Sequence, residues 1–128
     1  MRALALYSRL GDHGLVWLAI ALAGRRLSGH PRWTHLLRSV LAAYGVNQLI
    51  KVIVRRPRPR DKVIQVATEL SYPSAHAATS LAAARVVPQL YPAAVLMAGS
   101  RIALRVHHPS DVVAGAVLGT AVAELAAP

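Results

Sequence analysis

Val112–Ala123 reads VVAGAVLGTAVA, an uncharged run in which Gly115 and Gly119 stand four residues apart. A pair of small residues at that spacing lets two helices approach at backbone distance, as membrane helices do. Gly and Ala are common in this chain, so the pair alone does not separate a membrane helix from the core of a soluble all-α bundle. The segments around it carry the decision.

Pro109–Ala127 reads as the helix that contains this run, and Leu90–Leu104 precedes it. Ala75–Val87 is an Ala-rich helix opened by Pro73-Ser74, with Ser74 as the expected N-cap. Trp33–Val54 is a long apolar segment interrupted by His35, Arg38, Asn47, Gln48 and Lys51, and Gly14–Gly24 (GLVWLAIALAG) runs up to Arg25-Arg26. None is an ideal span of about 20 continuous apolar residues. Even so, five apolar segments in 128 residues leave little sequence for a solvated helix face. The expected fold is all-α, a polytopic membrane bundle with about five transmembrane helices in one domain, 1–128. Met1–Leu10 (MRALALYSRL) adds a candidate interfacial helix within 1–12. A signal peptide ending near Ala21-Leu22-Ala23 is the rival, disfavoured because Asp12 and His13 interrupt its start.

Composition narrows the function. Fifteen Lys+Arg stand against five Asp+Glu, a formal charge of +10, yet 55% of residues are hydrophobic. That apolar content excludes a disordered basic tail, and a mean hydropathy of +0.40 is unusual for a nucleic-acid module. Cysteine is absent, so disulfides, thiolate nucleophiles and Cys-ligated metals are excluded. Arg55–Lys62 (RRPRPRDK) is a loop, because Pro57 and Pro59 break any helix and every other residue is charged.

Ionisable groups in membrane segments are expensive and point to function. If the segments cross alternately, the end of the second, the start of the third, the end of the fourth and the start of the fifth share one face. Lys51, Arg58, Ser74, His76, Arg101, His107 and Asp111 all fall there. Three cations, Ser74 and free helix N–H groups make a phosphate pocket. Two histidines offer a nucleophile and a general acid, and Asp111, four residues after His107, can orient its ring. No acidic cluster suits a metal, so a metal-independent mechanism without a cofactor is expected. Each residue also has a plain reading. Lys51 would snorkel at a helix end, the loop arginines would form a lipid-facing patch, and Asp111 would be an N-cap. Their convergence on one face favours the functional reading.

The spacing also resembles a known family. Lys51, six residues, then Arg58-Pro59 is similar to the first signature of the type-2 phosphatidic acid phosphatase superfamily. Pro73-Ser74-Ala75-His76 resembles the second, usually Pro-Ser-Gly-His, and Ser100-Arg101 followed by His107 and Asp111 resembles the third. The resemblance runs from about Asn47 to the C-terminus, with the signatures within 47–111. It implies a lipid phosphate phosphatase acting on phosphatidic acid, phosphatidylglycerol phosphate or a polyprenyl (pyro)phosphate. His107 would form a phosphohistidine, with Asp111 orienting it. His76 would protonate the leaving group. Lys51, Arg58 and Arg101 would hold phosphoryl oxygens, with Ser74 and the Ala75 backbone completing the pocket. Ala75 departs from the usual glycine. Membrane members of the family also commonly have one spanning helix more than the segments counted here.

The alternatives are a vanadate-dependent haloperoxidase, which the short oily chain disfavours, and a non-catalytic membrane protein binding anionic lipid through RRPRPRDK, which would not need His76, His107 and Asp111. Nucleic acid is not an expected partner, since the basic run has no interleaved aromatics. The expected partners are a phosphorylated lipid and the bilayer. The expected location is the bacterial cytoplasmic membrane. Ten of fifteen basic residues fall on the Lys51 face, which a positive-inside count would put in the cytoplasm. Setting aside the three assigned to phosphate leaves seven against five, and the family resemblance favours an extracytoplasmic site.

Overall fold

A computed structural model describes residues 1–128 and contains six α-helices. They are α1 (Arg2–Arg9), α2 (Leu15–Leu27), α3 (Pro31–Val54), α4 (Ala75–Val86), α5 (Tyr91–Ala103) and α6 (Pro109–Leu125). Short 3₁₀ turns at Asp12–Gly14 and Pro88–Leu90 lead into α2 and α5. There is no strand, and the only β-type pairing is an isolated bridge between Pro57 and Leu70.

Local chemistry sets the helix ends. Pro31 and Pro109 open α3 and α6 at the position where a missing N–H costs nothing. The His30 side chain accepts from the Arg32 N–H at 3.1 Å, and Ser74 Oγ accepts from the Ala77 N–H at 3.2 Å, so Ser74 is the N-cap expected for α4. Asp111 is not an N-cap: His108 occupies that position in α6, and Asp111 sits in the first turn.

α4 is the axis of the bundle. Eight of its twelve residues are buried, so it is enclosed on nearly all sides by α3, α5 and α6. Its most extensive packing is against α6. A Cβ on Gly119 would fall on the Ala78 carbonyl oxygen, and one on Gly115 on the Ser74 carbonyl oxygen. The glycine pair therefore does bring two backbones together, as small residues at this spacing permit. Around the other side of α4, Trp17, Ala21, Leu36, Val40, Ala83, Val87 and Met97 form the main apolar cluster. The Trp17 indole N–H is satisfied by Ser80 Oγ at 3.0 Å.

Of the helices, α3 alone is both long and apolar enough to cross a membrane. Its 24 residues reach about 36 Å at 1.5 Å per residue, against a hydrocarbon core of about 30 Å. The apolar stretch of α3 is only 28% buried inside the bundle, unlike the core helix of a soluble protein. Leu41, Leu49 and Ile53 on α3, Val95 and Leu96 on α5, and Val113 and Val117 on α6 are all exposed. The other three long segments of the chain fold into helices of 12 to 13 residues and α6 into one of 17, shorter than an ideal span.

Candidate active site

The up-and-down course of α3 to α6 brings the end of α3, the start of α4, the end of α5 and the start of α6 together. A cavity of about 250 Å³ opens there. Lys51, Arg58, Ala75, His76, Arg101 and His107 line it, as the sequence pattern anticipates. Asp111 and Ser74 stand just behind the wall, fully buried. The stretch 64–68 forms another side of the cavity, and Arg9, Asp12, His13, Tyr44 and Gln48 contribute the rest of the polar lining.

His107 lies in the short connection between α5 and α6, held by its own N–H donating to the Arg101 carbonyl at 3.2 Å. Arg58 Nη1 donates to His107 Nε2 at 3.0 Å and to the Val106 carbonyl at 2.8 Å, while Arg58 Nε donates to the Thr68 carbonyl at 2.6 Å. A guanidinium has no lone pair to offer, so His107 Nε2 carries the lone pair and Nδ1 the proton. Nδ1 faces Asp111 Oδ2 at 3.4 Å, long for a hydrogen bond. Burial pushes the His107 imidazole down to about 3, and the nearby Arg58, Arg101 and Lys51 push the same way against Asp111. The ring is therefore neutral at pH 7, with the Nε2 lone pair held by Arg58.

Asp111 is itself fixed from two sides. The His108 N–H donates to Oδ2 at 2.8 Å, and Arg56 Nη1 donates to Oδ1 at 2.8 Å. Arg56 also donates to Ser110 Oγ at 2.6 Å and lies over the Tyr72 ring at 4.7 Å. Within the RRPRPRDK loop, Arg56 and Arg58 thus face inward and are not lipid-facing surface charges. Arg58 was expected at the site, whereas the basic composition of the loop hid Arg56.

His76, in the first turn of α4, turns Nε2 toward two acceptors, the Ser8 carbonyl and Asp12 Oδ1, each at 3.0 Å. Arg101 Nη1 donates to Ser8 Oγ at 2.9 Å. The hydrogen bond from His76 holds the Asp12 carboxyl below its usual range, outweighing partial burial. Asp12 and Ser8 are the site-side residues that sequence reasoning missed. One signal was available: Asp12 is the only carboxylate in residues 1–60.

Lys51 and Ser74 each have two readings in the sequence. Lys51 is 3% exposed and lines the cavity, so it does not snorkel to an interface. Ser74 Oγ accepts the cap bond of α4, as expected, and the Ser74 N–H donates to the Asp111 carbonyl at 2.9 Å. Ser74 therefore ties α4 to α6, and Ala75, not Ser74, reaches the cavity.

Residues 32–127 match the model of the PAP2 superfamily. The decaprenylphosphoryl-5-phosphoribose phosphatase of Mycobacterium tuberculosis is 39% identical over 127 residues, covering 90% of this chain and 72% of that protein. The enzyme of the same name from Mycolicibacterium smegmatis is 39% identical over 120 residues, covering 84% and 67%. Two crystal structures share the fold at 21% identity. The transmembrane PAP2 type phosphatidylglycerolphosphate phosphatase of Bacillus subtilis has a TM-score of 0.81, covering 98% of this chain and 73% of its own. LpxE of Aquifex aeolicus has a TM-score of 0.83, covering 96% and 82%.

Proposed function

This chain belongs to the PAP2 superfamily and is a phosphatase of that family, and on that premise we propose that it hydrolyses a lipid phosphomonoester through a phosphohistidine on His107. The observation that carries the reading is the buried His107 lining the cavity together with Lys51, Arg58 and Arg101, its Nε2 lone pair held by Arg58 at 3.0 Å. In the first step Nε2 attacks phosphorus and the bond to the lipid-side oxygen breaks, with a proton passing from His76 to that oxygen. In the second, water attacks the phosphohistidine, its proton returns to His76, and inorganic phosphate leaves as the P–N bond breaks. Asp111 keeps the His107 proton on Nδ1 and stabilises the positive charge that develops on the ring. Lys51, Arg58 and Arg101 neutralise the phosphoryl oxygens, and fixed donors of this kind are each worth about 10²–10³ in rate.

For the substrate class we assign a phosphorylated sugar carried on a polyprenyl phosphate. The 39% identity to two enzymes named for decaprenylphosphoryl-5-phosphoribose supports that choice. The bundle sits in the bacterial membrane with α3 spanning it and the shorter helices embedded beside it, its exposed apolar faces toward lipid. The cavity opens on the extracytoplasmic side. A purely electrostatic lipid binder would need the cations but not the paired histidines and aspartates.

The test is phosphate release by the detergent-purified protein from polyprenylphosphoryl ribose 5-phosphate, phosphatidylglycerol phosphate and phosphatidic acid. The fastest release is expected from the first, none from His107→Ala, and an acid-labile phosphoenzyme from the wild type alone. No release by the wild type, or equal release by the variant, overturns the reading.

A further inference from the structure

The segment before α2 is built into the catalytic cluster. Ser8 is fully buried, its carbonyl accepts from His76 and its hydroxyl accepts from Arg101. Asp12 Oδ1 lies 3.0 Å from the same His76 nitrogen. Two oxygen acceptors on one ring nitrogen define the tautomer: Nε2 carries the proton, and Nδ1 is the nitrogen left for a substrate oxygen. The side chain of Asp12 is about half exposed at 47%, whereas that of His76 is 9% exposed, so the carboxylate reaches in from the cavity rim.

We propose that Asp12 is a positioning residue for His76, so that the site contains two His–Asp pairs with opposite duties. His107–Asp111 presents a lone pair to phosphorus. Asp12–His76 presents a proton to the leaving oxygen: with His76 as imidazolium, Nε2–H remains on Asp12 while the Nδ1 proton passes to the lipid-side oxygen as the P–O bond breaks. Asp12 stays ionised through both steps and takes up no proton. Its contribution is to stabilise the imidazolium and hold the ring still, as the carboxylate does in hydrolase triads. The kinetic half of this inference rests on the phosphatase reading, and the tautomer half does not.

Two measurements test it on the full chain in detergent. The first compares a lipid phosphate, whose alkoxide must be protonated to leave, with an aryl phosphate, whose phenolate leaves unaided. Asp12→Asn is expected to lower kcat by about 10- to 100-fold on the lipid phosphate, a part of what a general acid supplies, and by less than about 3-fold on the aryl phosphate. Asp12→Glu should recover part of the loss. Equal losses on both substrates, or none, would overturn the proposal, because a merely structural defect does not discriminate between leaving groups. The second is ¹⁵N NMR of the histidine rings, with the His76 signals identified by their absence in His76→Gln. The Nε2–H tautomer is expected in the wild type and a mixture in Asp12→Ala. A wild-type His76 protonated on Nδ1 alone would overturn the pairing. Should the wild type release no phosphate at all, the function fails, and the NMR result still decides the Asp12–His76 pairing.

Discussion

Arg58 Nη1 donates directly to His107 Nε2 at 3.0 Å, so a cation guards the lone pair assigned to attack phosphorus. An incoming phosphoryl group has to take over this guanidinium, exchanging a nitrogen acceptor for charged oxygens. Charge-assisted bonds to such oxygens are the stronger kind, so the exchange is favourable. Arg58→Ala should therefore lower kcat/KM by about 10²–10³ in a phosphate-release assay. Arg58→Lys should fall between, because it keeps the charge but loses the fork that reaches the Thr68 and Val106 carbonyls. An unchanged rate in Arg58→Ala would remove the residue from the phosphate site.

The buried neutral His107 makes a prediction about acid stability. Its folded value of about 3 lies below the ordinary 6.5, so between those limits the unfolded chain binds the proton and the folded chain does not. Stability is then fully present above about pH 6.5 and declines as pH falls toward 3, by up to about 1.4 kcal/mol per pH unit. His107→Gln should show a shallower decline in Tm over the same window. Parallel Tm profiles for the two proteins would contradict this.

Gly119 and Gly45 offer a controlled pair for the helix packing. Ala at 119 would set its methyl on the Ala78 carbonyl, whereas Ala at 45 meets nothing within 4 Å. Gly119→Ala should destabilise by about 1–3 kcal/mol or prevent folding. Gly45→Ala should be neutral or stabilising by up to about 1 kcal/mol, through helix propensity alone. Thermal unfolding in detergent reads both. Equal Tm values would mean that α4 and α6 are not in backbone contact.

Sidedness can be read at Lys62, which lies in the loop beside the cavity and pairs with Glu69 at 2.6 Å. The chain has no cysteine, so Lys62→Cys is a single reporter. Labelling of intact cells by a membrane-impermeant thiol reagent is expected. Labelling only after lysis would place the cavity in the cytoplasm.

Much of this architecture was legible because proline and glycine mark its joints. The expected Ala75–Val87 and Pro109–Ala127 became Ala75–Val86 and Pro109–Leu125, the first capped by Ser74 as its chemistry required and the second opened by Pro109 behind His108. The cavity side chains were legible for another reason: alternating helix direction turns distant sequence positions into neighbours. Asp12 was not legible, because its partner is 64 residues away and a lone acid near a chain start has no spacing to betray it. Ser74 was legible as the cap of α4, while a role towards phosphate is not, since the accepted cap bond leaves the hydroxyl proton uncommitted and the side chain is buried behind the cavity wall. The number of membrane crossings is not legible from hydropathy alone, because glycine and alanine permit close packing in helices too short to be ideal spans.

The contact between α4 and α6 at Gly115 and Gly119 also divides the molecule mechanically. His76 rides on α4, Asp111 sits in the first turn of α6 and His107 in the connection just before it, so the two rings proposed to react are mounted on one closely packed chassis. Tolerance for different lipid headgroups then has to reside in the parts bolted onto it, namely the loop 55–74 and the segment before α2. Exchanging those two pieces between relatives, with the α4–α6 unit left untouched, is the route by which such an enzyme can change its diet without relearning its chemistry.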